Sequence, residues 1–172
     1  HHAKALLEAA RRTPPGVTFT AAGQTLTRSV VARTSGQRIW VDDPATGRRR
    51  DLGVEEDLAF WAWAAVEVLR ATGVRVEELL EISHHNLIQY RLPTTGELVP
   101  LLQITPSKTD AERLLVVSPE LADVLSTIIC RVRDQNEAVP LVRAYDRREC
   151  LWLDPAPMLF QRRFGSENRR IC

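Results

Sequence analysis

At 172 residues, 44% apolar and with a net charge of +1, the chain is long enough to bury the core of one domain and too apolar to stay disordered. No apolar run approaches the roughly 18 residues of a membrane span, and no signal-peptide pattern opens the chain, so a cytoplasmic protein is expected. Three cysteines without CxxC spacing, Cys130, Cys150 and Cys172, exclude a zinc ribbon or a disulfide scaffold and fit a reducing compartment. The charge is unevenly distributed. Residues 1–54 hold nine Lys/Arg against four Asp/Glu, and residues 55–172 hold fourteen against eighteen. Any nucleic-acid contact must therefore come from local basic patches, not from the bulk field. Twenty-one of the cations are Arg and two are Lys, Lys4 and Lys108, so Lys108 stands out in a chain whose default cation is Arg.

Residues 3–12 predict a helix with Leu6, Leu7 and Ala10 on one face, stopped by Pro14-Pro15-Gly16. Residues 17–37 are rich in Thr, Ser and Gly, and their weak periodicity gives no element. Residues 38–42 and 48–52, joined by Asp43-Pro44-Ala45-Thr46-Gly47, read as a hairpin. Residues 14–54 are thus an insertion or arm between two helices. The strongest helix spans 55–72, with an acidic start and Gly73 at its end. Leu58, Trp61 or Ala62, Ala65, Val68 and Leu69 are its inward candidates, and Trp61 and Trp63 are read as core. A second helix follows near 76–83. The period then changes: 87–92, 98–105 and 112–118 are three apolar extended runs joined by turn-rich connectors, which predicts a three-stranded antiparallel meander. Ser118-Pro119 opens a helix over 120–133. A polar, proline-bearing loop (134–157) and a short apolar run at 158–165 complete the chain. The expected fold class is α+β, mainly helical with one three-stranded antiparallel sheet.

Two junctions narrow this pattern. ATGVRVEELLEISHHNL (71–87) resembles the first catalytic-arginine box of the tyrosine recombinases, the phage-integrase family, with Arg75 on the arginine and Glu78-Leu79 on the Glu-Leu pair. ITPSKTDAERLLVVSPEL (104–121) is similar to the strand–turn–strand that carries the family's catalytic lysine, and Lys108 falls on that position. MLFQRR (158–163) resembles the family's Leu-Phe segment, and AKALLEAARRT the helix that opens its catalytic domain. The resemblance implies that residues 1–172 are the N-terminal half of a catalytic domain: a first helix over 1–13, the arm over 14–54, and a helical core with the sheet over 55–172. It departs from the family in one large respect. The chain has no His-x-x-Arg box, and its two tyrosines, Tyr90 and Tyr145, precede the place where the nucleophile would stand.

The resemblance implies attack of a tyrosine on a DNA phosphodiester through a 3′-phosphotyrosine, needing neither metal nor nucleotide cofactor. Arg75 would offer a planar fork of donors to the phosphate oxygens. Glu78, one turn on, would orient it, and Lys108 would protonate the leaving 5′-oxygen. Without a nucleophile the chain alone is expected to be inactive. Each residue has a plainer reading beside this one: Arg75 as a helix-start arginine paired with Glu78, Lys108 as a solvated turn lysine. Arg48, Arg49 and Arg50 either clamp DNA phosphates or form a charged edge that blocks strand pairing. His84-His85 lacks a third ligand at suitable spacing, so no metal is expected. The expected partners are double-stranded DNA and further copies of the chain, in a bacterial, nucleoid-associated setting. The leading reading is therefore a fragment of a site-specific recombinase or integrase. Two alternatives stand beside it: a non-enzymatic DNA-binding or regulatory remnant of the same fold, and a generic α+β interaction domain.

Overall fold

The computed structural model describes residues 2–30, 38–104, 112–146, 150–164 and 167–171. They form four α-helices and four antiparallel sheets, an α+β architecture, and divide into two compact units, His1–Trp63 and Ala64–Cys172.

The first unit sets helix α1 (His2–Arg12) against a four-stranded meander of β1 (Thr18–Ala21), β2 (Gln24–Arg28), β3 (Trp40–Asp43) and β4 (Arg48–Asp51). Leu6, Leu7 and Ala10 of α1 are buried with Leu26, Ile39, Val41 and Leu52, and Phe19 and Ala21 pack against them. β1 and β2 are joined by two residues, Ala22 and Gly23, with φ of 47° and 74°. This is the left-handed pair that a tight hairpin turn requires. On the face opposite the core, Thr18 pairs with Thr27 and Thr20 with Thr25 through hydroxyl contacts of 3.0 Å. The Arg28 guanidinium donates to the carbonyl of Ala10 in the last turn of α1, which also accepts from Thr13 N–H at 3.3 Å, so the end of the helix is capped from β2 as well as by its own backbone. β3 and β4 are the hairpin expected from the Pro-x-x-Gly signal, with register Val41↔Arg50 and Asp43↔Arg48.

The second unit takes in the remainder of helix α2 (Leu52–Thr72), which begins in the first. It continues with α3 (Val76–Glu81), a 3-10 turn (His84–Asn86), and a three-stranded sheet of β5 (Leu87–Arg91), β6 (Leu98–Ile104) and β7 (Arg113–Val116). Helix α4 (Pro119–Val132) and the two-stranded sheets β8 (Tyr145–Asp146) with β9 (Leu151–Trp152) and β10 (Gln161–Phe164) with β11 (Glu167–Arg170) follow. On one face of the three-stranded sheet Leu102, Ile104 and Val117 are buried. Its other face carries Ile88, Tyr90, Val99, Leu101, Leu114 and Val116. Met158, Leu159 and Phe160 are buried, and their segment pairs with the end of α3: Leu159 N–H donates to Ile82 O (2.9 Å) and His84 N–H to Pro157 O (2.8 Å).

The structure corrects the expected architecture in three respects. The fold is not mainly helical with one sheet, because the threonine-rich stretch forms β1 and β2, and residues 161–164 pair antiparallel with 167–170. β-Branched alternation in 18–28 decided the first, and pairing of a run read only as apolar decided the second. Leu58 is 52% exposed, because the covered stripe of α2 is Trp61, Ala64 and Val68, at i, i+3 and i+7, and Leu58 lies off it. Trp63 is likewise 40% exposed instead of in the core.

Candidate active site

The site is built where α2 gives way to α3. Gly73, at φ +64°, takes the left-handed conformation that ends α2, and its N–H donates to Leu69 O at 2.9 Å. A Cβ here would meet no atom within 4 Å, so the backbone angle and not crowding makes glycine the fitting residue. The Thr72 hydroxyl turns back to Val68 O at 2.6 Å. Two residues after the glycine, Arg75 stands at the N-cap of α3 with extended backbone (φ −74°, ψ 155°) and is exposed.

Glu78 sits beneath it, with a fully buried side chain. A buried carboxylate must be paired to be tolerated, and this one has two donors on the same oxygen. The Arg75 backbone N–H donates to Oε2 at 2.9 Å, and Arg113 Nη2 donates to Oε2 at 2.7 Å. The carboxyl is held below its ordinary value of 4.5, first by the Arg75 N–H bond, with burial opposing, and then by the Arg113 charge. Glu78 is therefore an anion at neutral pH, and it holds the backbone of Arg75.

Arg113 is the residue that the sequence reading missed. It opens β7 and pairs in register with Ile104, the last residue of β6. These two positions are the described feet of the 105–111 connection; Lys108 itself lies outside the described residues. The Glu78–Arg113 ion pair thus ties the strand leaving that connection to the helix that presents Arg75. The signal was present in the sequence as an arginine five positions after Lys108, inside an otherwise apolar strand, where a charge calls for a partner.

The Arg48–Arg49–Arg50 run resolves into three different residues. Arg50 is committed within its own unit: Nε and Nη2 form a two-pronged pair with Glu55 (2.8 and 2.6 Å), and Nη1 donates to Gln24 Oε1 at 2.8 Å. Its guanidinium is raised above its ordinary value, first by the hydrogen bond to Glu55. Arg49 Nε donates to Asp42 across the strands at 3.1 Å. Arg48 begins β4 and is exposed. Tyr90 lies in β5 and Tyr145 in β8, both about half exposed. Among the described residues no three His, Cys, Asp or Glu side chains are grouped to hold a metal ion, and no described helix is long and apolar enough to cross a membrane. No family model, curated protein or solved structure matches the chain.

Proposed function

We propose that the chain is part of the catalytic domain of a DNA strand-exchange enzyme, a site-specific recombinase or integrase of the tyrosine-recombinase kind. One observation carries the reading: an exposed arginine at a helix N-cap, held from below by a buried glutamate that is also tied to the strand next to the Lys108 connection. Phosphoryl transfer asks for this kind of support, because charge grows on non-bridging oxygens and donors fixed in advance stabilise it most. In this reading Arg75 binds the scissile phosphate of double-stranded DNA and Glu78 fixes its backbone. Lys108 supplies the proton to the leaving 5′-oxygen, and the tyrosine nucleophile and the His-x-x-Arg box lie outside these 172 residues. The chain alone is then inactive, and copies of the complete enzyme assemble on DNA in the bacterial cytoplasm.

The test is a duplex carrying a nick next to the cleavage site, which traps a covalent intermediate. The 172-residue chain should form no adduct. A protein whose reading frame also encodes the box and the tyrosine should form one, and Arg75→Lys should lower its rate about a hundredfold or more, since Lys keeps the charge but not the fork. An adduct mapped to Tyr90 or Tyr145, or an Arg75→Lys protein of undiminished rate, overturns the reading.

A further inference from the structure

We propose that the outer face of the β5–β7 sheet is a docking surface for an amphipathic helix of a partner protein, one whose apolar stripe is bounded at each end by Lys or Arg. The register fixes the face. Ile88 stands opposite Leu101, and Leu101 opposite Val116; Tyr90 stands opposite Val99, and Gln103 opposite Leu114. Cross-strand partners share a face, so six of these seven positions are apolar and none is charged. Four of them are open to solvent: Ile88 at 36%, Tyr90 at 46%, Leu114 at 58% and Val116 at 70%. The opposite face buries Leu102, Ile104 and Val117. That opposite face also carries Gln89, Arg91 and Arg113, so the uncharged, largely apolar face is the one left open, whereas the water-facing side of an antiparallel sheet is ordinarily polar.

Size and charge select the occupant. Three strands about 4.8 Å apart, with a seven-residue central strand, give a face of roughly 14 by 23 Å. That is well short of the roughly 800 Å² per partner in a stable pairing of two proteins. Two copies meeting on this face would not hold together by it. One helix, about 10 Å across and near fifteen residues long, fits it. Acidic residues flank the strands at the same spacing of two: Glu97 lies two positions before Val99, and Glu112 two before Leu114. Glu112 accepts a hydrogen bond from Gln103 Nε2, on the face itself. The two carboxylates mark opposite ends of the face and call for cations about four helical turns apart on the visitor. The inference rests on the sheet alone and stands whether or not the chain belongs to a recombinase.

The probe is a synthetic sixteen-residue helical peptide with leucines at i, i+3, i+4 and i+7 spacing and Lys at both ends. It is titrated into the full chain with amide chemical shifts as the readout. Saturable binding with a Kd on the order of 100 μM or tighter is expected, with the shifts concentrated on β5, β6 and β7. Val116→Asp and Tyr90→Lys alter exposed side chains, so both variants should keep the parent circular dichroism. Val116→Asp should weaken binding at least tenfold. A peptide ending in Glu should bind more weakly than the Lys form, by a margin that shrinks with salt. Four outcomes overturn the proposal: no saturation by 1 mM, equal binding of a scrambled peptide, binding indifferent to both variants, or a dimer in sedimentation that Val116→Asp dissociates. The last would assign the face to a second copy.

Discussion

Glu78 is the residue on which the candidate site depends most. Its folded-state pKa is depressed, so its contribution to stability is present above the ordinary carboxylate value of 4.5 and is lost as the pH falls through the lower folded value. Glu78→Gln keeps the shape and removes the charge. It should cost about 1.5–3 kcal/mol at neutral pH, the range for hydrogen bonds to a charged group, and it should flatten the acid limb of stability against pH. Urea unfolding between pH 3 and 7 measures both, and an unchanged acid limb would show that another carboxylate dominates it. Arg113 is 42% exposed at its side chain, but its loss leaves the buried Glu78 carboxylate without its charged partner, so Arg113→Ala should cost at least as much as Glu78→Gln. Arg50 offers a contrast. With its side chain 24% exposed and engaged by Glu55 and Gln24, Arg50→Ala should destabilise the first unit, while Arg48→Ala should leave its stability unchanged within about 0.5 kcal/mol.

Elements were legible where one period dominated. α4 announces itself by Ser118, whose hydroxyl accepts from Leu121 N–H at 3.2 Å, and by Pro119 after it. Ser118→Ala should cost about 1 kcal/mol in chemical denaturation, and Ser118→Asp much less. The three apolar runs at 87–118 gave β5, β6 and β7 because turn formers separate them. The hairpin of β1 and β2 was illegible because its turn is Ala22-Gly23, and Ala is a poor marker for a left-handed position. Ala22→Asn should therefore stabilise the chain by about 0.5–1 kcal/mol, and a loss instead would mean that Asn clashes in the turn. Residues inside α2 were harder to place, since a helix apolar nearly all round does not say which side is covered. At the site, the resemblance to the arginine box singled out Arg75 and Glu78, whose contact spans one local turn. Arg113 was not singled out, because its partner lies 35 positions away and only the sheet register brings the two together.

At the scale of the whole molecule, charge governs what the chain can do with DNA. Residues 55–172 are net acidic and Arg50 is engaged by Glu55 and Gln24, so contact with phosphates falls to local cations. Binding to unrelated duplexes should fall near 10⁻⁴–10⁻⁶ M and weaken steeply with salt. A titration at two salt concentrations checks this, and the double variant Arg48→Ala with Arg49→Ala should lessen the slope by about two. Nanomolar, salt-insensitive binding would favour a regulatory DNA-binding protein. The pairing of Leu159 with Ile82 and of His84 with Pro157 has a consequence in time. A ribosome adds roughly 5–20 residues per second, so several seconds of synthesis separate the helix that bears Arg75 from the strand segment that completes it. During that interval Ile82, buried in the finished protein, has no cover from 157–160. A released chain ending before Pro157 should therefore be a better chaperone client and protease substrate than one ending after Gln161, although the two differ by only a few residues.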